Sequence, residues 1–193
     1  RNRIETLPEG MQQLTRLEEL SVSYNRLKTI PAAVGHMPAL VILNLTGNEI
    51  DSIPAAIGQS KKLKDLRLAS NQLMRLPEEL TKIKTLDLLD LGNDYLDSLP
   101  RTLGNLSALR FLYINQNRLA NIPESIVKCQ KLIELDVVRC GAMRMPNGLG
   151  DIRSLEYVYI DERIIPFYQN PRNRFIQNIY VVTNDQLLYR RSQ

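Results

Sequence analysis

Hydrophobic residues recur along the chain with a period of 23 residues, and each recurrence has the pattern LxxLxL. Alternation at period two is the signature of a β-strand, so the middle leucine should face a core and its two neighbours the opposite side. A fixed period of this length predicts a solenoid whose strands stack as a parallel sheet about 4.8 Å apart. The seven instances are Leu17-Leu20-Val22, Leu40-Leu43-Leu45, Leu63-Leu66-Leu68, Leu86-Leu89-Leu91, Leu109-Leu112-Ile114, Leu132-Leu135-Val137 and Leu155-Val158-Ile160.

Proline keeps the same period, which accounts for seven of the ten prolines in the chain. These residues are Pro8, Pro31, Pro54, Pro77, Pro100, Pro123 and Pro146. Because proline cannot donate to a sheet ladder, we expect it to end each strand and turn the chain toward the convex side of the solenoid. The segments that follow, such as residues 55–59, are too short for long helices and predict single helical or 3₁₀ turns.

A polar column stands three positions beyond the strands. Its members are Asn2, Asn25, Asn48, Asn71, Asp94, Asn117 and Cys140. An amide side chain can donate to and accept from the backbone of adjacent turns, and so satisfy loop groups that would otherwise be buried without partners. We therefore predict a structural role for this column, and we predict that Cys129 and Cys140 are buried thiols.

The combined pattern LxxLxLxxNxLxxLPxxIGxLxx, with apolar-Gly pairs such as Val34-Gly35 and Ile57-Gly58, resembles the leucine-rich-repeat family over essentially the whole chain. The 23-residue form is similar to the repeats of Ras-suppressor-type scaffolds, plant intracellular Ras-group-related proteins and many bacterial repeat proteins. The resemblance implies an α/β fold, a right-handed β/α horseshoe solenoid with a parallel β-sheet on its concave face and short helical or 3₁₀ turns on its convex face. It also implies a style of recognition, without identifying a partner.

We expect one domain, residues 1–193, made of a partial repeat at residues 1–16, regular repeats at residues 17–162, and an irregular last repeat with a C-terminal cap at residues 163–193. The strand of the first repeat is missing from the sequence. Either a cap was removed there or further repeats precede residue 1, and we favour removal of a cap.

The repeat frame resumes near the C-terminus two residues early, with Ile176, Ile179 and Val181 at a spacing of 21 from Leu155 and its partners. This shift predicts an eighth, irregular strand at about residues 177–183. The last residues are expected to shield the open edge of the terminal turn. The apolar side chains predicted to plug that end are Phe167, Phe175, Leu187 and Leu188.

Side chains that alternate with the buried leucines form columns on the concave face. These columns are small and polar in the N-terminal half, whereas the C-terminal half collects aromatic residues and carboxylates. Tyrosine brings a large contact area and a hydroxyl group at low entropic cost, while carboxylates favour a partner with basic or hydroxyl-rich groups. We predict a binding site on strands four to eight, anchored by Phe111, Tyr113, Tyr157 and Tyr159. The predicted partner-binding residues are Arg67, Leu88, Asp90, Phe111, Tyr113, Asp136, Val138, Tyr157, Tyr159 and Tyr180.

Outward aromatic residues can also stack on their cross-strand neighbours and merely protect the sheet, which is the alternative interpretation of this surface.

The leading functional prediction is a monomeric protein-protein interaction module that binds a protein or peptide on the concave face, with a glycan as a further candidate ligand. Two alternatives stay open. The chain could recruit a substrate or regulator for a larger signalling or effector protein, or act as a surface adhesin that binds glycans or matrix.

Charge and candidate chemistry narrow the function further. The net charge of +4 is small, and basic and acidic residues are interleaved, so we expect no nucleic-acid partner. No run approaches the roughly 20 apolar residues that cross a bilayer. We therefore expect a soluble chain without membrane insertion, either cytoplasmic or secreted with its signal peptide removed. His36 is the only histidine, and no CxxC, HExxH or phosphate-binding glycine loop occurs, so we predict no enzymatic activity, metal or cofactor.

Overall fold

The computed structural model describes residues 2–164 and 171–183, together with the backbone of residues 186–191. The described strands form one sheet in which each strand pairs with the next along the chain. Strands β1 to β8 run parallel, and β9 runs antiparallel to β8. The strands are β1 (Glu19–Ser21), β2 (Ile42–Asn44), β3 (Asp65–Arg67), β4 (Leu88–Asp90), β5 (Phe111–Tyr113), β6 (Glu134–Asp136), β7 (Tyr157–Asp161), β8 (Asn178–Thr183) and β9 (Gln186–Arg191).

Short 3₁₀ helices alternate with the strands and form the convex layer. They are η1 (Glu9–Gln13), η2 (Ala32–His36), η3 (Ala55–Gln59), η4 (Glu78–Lys82), η5 (Leu103–Asn105), η6 (Glu124–Lys128), η7 (Leu149–Asp151), η8 (Glu162–Ile164) and η9 (Pro171–Phe175). The described ranges contain no α-helix, so the convex turns are of the 3₁₀ kind. No helix in this part of the chain is long and apolar enough to span a bilayer.

Proline marks the start of the convex turns. Pro31, Pro54 and Pro77 each stand immediately before a 3₁₀ helix, with φ between −65° and −69°. Proline therefore turns the chain toward the convex side, as expected. The prediction that it ends the strand is wrong, because β2 ends at Asn44, ten residues before Pro54. The ring's fixed φ suits the entry to a turn, and the ladder positions are left to residues that can donate.

The core lies between the sheet and the 3₁₀ helices and runs as one continuous cluster through the repeats. The core-facing leucine or valine of each strand from β2 to β7 is completely buried, as the period-two pattern predicts. They are Leu43, Leu66, Leu89, Leu112, Leu135 and Val158. Full burial of such a side chain stabilises a fold by roughly 1.5–3 kcal/mol, so each of the three-residue strands β2 to β6 is held mainly by its leucine.

The glycine of the apolar-Gly pairs lies where neighbouring convex turns touch. A Cβ atom on Gly35 would overlap the carbonyl oxygen of Ala56 in the next turn. The same overlap would occur at Gly58, Gly104 and Gly150. Thr81 and Val127 occupy this column in η4 and η6, and the next 3₁₀ helix after each has three residues instead of five. Gln12 occupies the column in η1 without that change, since η2 has five residues, so what glycine provides here is room for close packing.

The polar column has the structural role predicted for it. Its buried asparagines are Asn48, Asn71 and Asn117. The side-chain oxygen of Asn71 accepts from the backbone N–H of Ile50 at 3.0 Å, and its amide nitrogen donates to the carbonyl oxygens of Leu45 at 3.0 Å and Leu68 at 2.7 Å. Equivalent bonds join Asn48 and Asn117 to their neighbouring turns. The column therefore ties each turn to the preceding one.

Asp94 stands in this column without an amide nitrogen. Its Oδ1 accepts from the N–H of Leu73 at 2.9 Å, but its buried Oδ2 has no hydrogen-bond partner among the described residues. Burial raises the pKa of Asp94 to about 7, against the opposing effect of the backbone amides of Leu73 and Asn71. Cys140 ends the column with its Sγ 3.0 Å from the carbonyl oxygen of Ile114, and both cysteines are buried as predicted.

The C-terminal end agrees with the sequence in part. The strand predicted at about residues 177–183 is confirmed as β8, which places Tyr180 opposite Tyr159. Strand β9 then folds back onto the far edge of β8. The prediction that Phe175 plugs this end is wrong. Its ring is 64% exposed because it lies at the end of η9, where the guanidinium of Arg174 is 4.8 Å from the ring centroid. The side chains of the other predicted plugs lie outside the described residues: Phe167, Leu187 and Leu188.

Candidate binding surface

The concave face displays the strand side chains that point away from the core, in the register that the period predicts. The central column begins with Ser21 and Asn44 and continues through Arg67, Asp90, Tyr113, Asp136, Tyr159 and Tyr180 on successive strands. The column before it runs through Leu88, Phe111, Glu134 and Tyr157. Val138 lies two residues beyond the end of β6. The structure thus brings the predicted site residues onto one surface, and their role in binding stays a prediction.

Tyrosine rings stack at the C-terminal end of this surface. The rings of Tyr159 and Tyr180 have centroids 4.7 Å apart with planes inclined by 10°, and those of Tyr157 and Tyr180 are 6.5 Å apart. Such pairs contribute about 0.5–1.5 kcal/mol beyond their buried area. Cross-strand stacking, the alternative interpretation of these residues, is therefore present. All three side chains are nonetheless only half-buried, so ring surface is left for a partner.

Tyr113 lies in the middle of the surface, next to the strand that carries Glu134. Burial raises the pKa of Tyr113 to about 12, and the charge and hydrogen bond of Glu134 add to the rise. The phenol is therefore a neutral hydroxyl group over the physiological pH range. Glu134 was absent from the predicted site, although its position opposite Phe111 and Tyr157 could be read from the repeat period.

Asp90 and Asp136 flank Tyr113 in the central column, and backbone groups hold both in place. Each accepts from the N–H two residues further on, at 3.1 Å from Gly92 and 3.0 Å from Val138. Burial is the main cause that raises the pKa of Asp136 to about 6 and also raises the pKa of Asp90. These two carboxylates are thus oriented and partly shielded from water.

Arg67 differs from the rest of the predicted site because its charge is already paired. Its Nε and Nη2 donate to the two carboxylate oxygens of Asp65 at 2.9 and 2.8 Å. The side-chain hydrogen bond to Asp65 is also the main cause that raises the pKa of Arg67. Beside this pair, Ala69 and Gly92 leave a shallow depression next to Asp90. The N-terminal margin of the surface is therefore close to neutral.

The surface offers ring faces, oriented carboxylates and hydroxyl groups to a partner. Within residues 2–164 and 171–183, no three His, Cys, Asp or Glu side chains are grouped as a metal site requires. Asp90 and Asp136 are separated by the strand that carries Tyr113, a spacing of roughly 9–10 Å for two strand intervals. That separation prevents a shared proton, and the arrangement suits recognition.

Comparison with known families agrees with this architecture. A model described as a leucine-rich repeat region matches residues 75–179, which is more than half of the chain, and a second model described as a leucine rich repeat matches residues 1–50. The chain belongs to the leucine-rich-repeat family. The two matches identify the family alone, so the Ras-group subtype stays a prediction. No curated protein sequence is similar enough to this leucine-rich-repeat chain to count as a match.

Solved structures of leucine-rich-repeat proteins share the fold. A leucine-rich-repeat protein of Leptospira interrogans has a TM-score of 0.72 at 23% identity, over 94% of this chain and 54% of that chain. Toll of Drosophila, in its complex with Spatzle, has a TM-score of 0.72 at 21% identity, over 93% and 30%. The ectodomain of the plant receptor kinase GASSHO1/SCHENGEN3 of Arabidopsis thaliana, in complex with CASPARIAN STRIP INTEGRITY FACTOR 2, has a TM-score of 0.64 at 21% identity, over 93% and 28%. This chain thus spans about half the length of the first structure and under a third of the others.

Proposed function

We propose that this leucine-rich-repeat domain is a protein-recognition module without enzymatic activity, and that it binds a protein or peptide on the concave face of β4 to β8. The observation that carries the proposal is the row of half-buried aromatic side chains beside oriented carboxylates on one continuous sheet. The anchors are Phe111, Tyr113, Tyr157 and Tyr159. Tyrosine and neighbouring hydrophobic groups of this kind are frequent hot spots of interfaces.

Preorganisation is the mechanism of binding. The sheet hydrogen bonds fix the backbone, the stack of Tyr159 on Tyr180 fixes two rings, and the backbone N–H of Val138 fixes Asp136. A surface that is ordered before contact loses little conformational freedom when the partner docks. The solved complexes of Toll and GASSHO1/SCHENGEN3 support a protein or peptide ligand over a glycan, by analogy of fold.

The test removes two anchors and measures the binding of defined ligands. A displayed library of random dodecapeptides is selected on the intact chain, and the chain is also applied to a glycan array. We expect enriched peptides whose affinity falls by about tenfold or more in Tyr113→Ala/Tyr159→Ala, as hot-spot truncation does. Tyr95→Ala is the matched control, because Tyr95 is 46% exposed and lies outside the concave columns.

Thermal melting of each variant separates lost anchors from lost folding. Peptides whose affinity is unchanged in a folded Tyr113→Ala/Tyr159→Ala variant would show that the concave face is not the site. Strong glycan signals without any enriched peptide would instead favour the adhesin alternative. Equal losses in the Tyr95→Ala control would also contradict the proposal.

A further inference from the structure

Within the part of the chain that the structure describes, no ion pair neutralises the carboxylates at the C-terminal end of the concave face. Of the residues the structure describes, ion pairs join Arg67 to Asp65, Arg75 to Asp97 and Arg110 to Asp87. None of these pairs involves the four carboxylates of the C-terminal concave face, which are Asp90, Glu134, Asp136 and Asp161. The surface therefore presents clustered negative charge beside the tyrosine rings.

Asp136 is the centre of that charge. After burial, the causes that raise its pKa are the negative charges of Glu134 on the same strand, Asp161 on β7 and Asp90 on β4. The tyrosines of the adjacent strands, Tyr113 and Tyr159, are uncharged at neutral pH, and burial raises both phenol pKa values further. A cation from a partner would relieve this repulsion, and its attraction is strengthened by partial shielding from water.

The ring of Tyr159 offers such a cation a second contact, beside the carboxylate of Asp136. Tyr159 lies between Asp136 on β6 and Tyr180 on β8, and Tyr180 stacks on it with centroids 4.7 Å apart. The ring face not covered by Tyr180 is therefore turned toward the strand that carries Asp136. A carboxylate beside an aromatic face suits arginine better than lysine, because a planar guanidinium can bond both carboxylate oxygens and stack on a ring.

We propose that the partner inserts an arginine side chain between Asp136 and the ring of Tyr159, so that charge complementarity at this position selects basic protein segments. The inference rests on the proposed function, since it names the chemistry of the partner for the same concave surface. Asp136 bonds the guanidinium, Tyr159 stacks on it, and Glu134 and Asp161 add attraction at longer range.

The experiment uses the intact chain and the peptides selected from the random dodecapeptide library. We expect the selected peptides to share an arginine. Replacement of that arginine by citrulline, its neutral isostere, should weaken binding by about tenfold or more, and so should Asp136→Asn in the protein. The two changes together should cost little more than either one alone, because both remove the same contact.

Asp136→Asn removes the negative charge, and we expect it to keep the local fold. The amide oxygen of Asn44 already accepts from the N–H of Thr46 at 3.1 Å in the same column, as Asp136 accepts from Val138. Asp51→Asn is the matched control, since Asp51 is exposed and lies outside the concave columns. The affinity of the arginine peptides should also fall between pH 7.5 and pH 5.5, because the Asp136 carboxylate with a pKa of about 6 becomes protonated. This dependence should weaken in Asp136→Asn.

The outcomes distinguish this inference from the proposed function. Enriched peptides that lack basic residues, but lose affinity in Tyr113→Ala/Tyr159→Ala, would overturn the arginine and leave the concave site standing. Arginine peptides that bind Asp136→Asn as tightly as the original chain would also overturn it. Peptides whose affinity is unchanged in Tyr113→Ala/Tyr159→Ala and in Asp136→Asn would contradict both the proposed function and the arginine contact. A selection that yields no binder would also contradict both.

Discussion

At the scale of single residues, Asp94 places a carboxyl group at a position of the polar column where the neighbouring turns have an amide. The side chain of Asn71 accepts from one backbone N–H and donates to carbonyl groups of its own turn and the preceding one, and Asn117 does the same one turn beyond Asp94. A carboxylate can only accept, so an ionised Asp94 has nothing to offer the carbonyl groups that its neighbours in the column bond. A protonated Asp94 recovers one donor. The pKa of Asp94 is therefore raised because burial disfavours its ionised form.

The raised pKa of Asp94 predicts that the free energy of unfolding depends on pH. Below about pH 4 the group is protonated in both states, whereas between about pH 4 and pH 7 only the native state keeps the proton. The free energy of unfolding should therefore fall as pH rises through that window, by at most about 1.4 kcal/mol per pH unit. Asp94→Asn should remove this contribution and stabilise the chain at pH 8 by about 1–3 kcal/mol. Urea denaturation at pH 5 and pH 8 measures both effects.

Asn71→Asp is the matched control, since Asn71 occupies the equivalent place one turn earlier. It should create a second pH-dependent loss of the same sign. Asp136 also contributes a decrease in stability toward high pH because its pKa is raised to about 6, but this part is retained in Asp94→Asn. An unchanged difference between pH 5 and pH 8 in Asp94→Asn would show that the carboxyl group is ionised in the fold.

Residue positions were predictable from the period, but residue contacts were not. A 23-residue step fixes the register of parallel neighbours, so the alignment of Asp90, Tyr113 and Asp136 could be predicted without coordinates. The period cannot say which neighbour a side chain contacts. Arg67 lies opposite Asp90 but bonds Asp65 on its own strand, because residues two apart share a face of the strand.

Backbone conformation was also hidden from the sequence. The position before the polar column is left-handed in six successive repeats, with φ between 55° and 70°. These residues are Tyr24, Gly47, Ser70, Asn93, Gln116 and Arg139. Only Gly47 and Asn93 belong to types that favour this region. Backbone bonds from this position to the next turn, such as that of Ser70 N–H to Gly92 at 2.8 Å, hold the other residue types there.

At the scale of elements, the convex glycines explain how the turns pack. Gly35, Gly58 and Gly104 do not have positive φ, so glycine is not required for backbone geometry. Its missing side chain lets the next 3₁₀ helix approach closely. Where Thr81 or Val127 takes this place, the following helix is shorter. Glycine in this column thus permits the close packing of successive 3₁₀ helices.

Because these helices pack closely, adding one methyl group at a convex glycine should lower the stability of the chain. Gly104→Ala should destabilise the chain by about 1–3 kcal/mol, because the added Cβ overlaps the carbonyl oxygen of Ser125 and the turn must shift. Thermal melting should show a decrease of roughly 2–4 °C per kcal/mol for a chain of this size. Gly10→Ala is the control, since its added Cβ meets nothing within 4 Å. Equal melting of the two variants would rule out close approach as the reason for glycine.

At the scale of the whole molecule, the solenoid separates stability from recognition. Each turn is bonded to the turns beside it through strand ladders, polar residues and helix contacts, so the fold is a linear array. The face near β3 carries the ion pair of Arg67 and Asp65, whereas the face from β5 to β8 carries ring surface and carboxylates that take part in no ion pair among the described residues. A change in an early turn should therefore reach the proposed site only through the turns between them.

Leu66→Ala tests this separation. Leu66 is completely buried in β3, and removal of a buried leucine side chain typically costs about 2–5 kcal/mol. In a linear array the damage should be local, so amide hydrogen exchange should accelerate most in β2 to β4 and least in β7 and β8. Peptides bound at Tyr159 should keep their affinity in the folded variant. Equal acceleration from β2 to β8 would mean that the turns unfold as one cooperative unit, and that the concave surface cannot be altered independently of the rest of the chain.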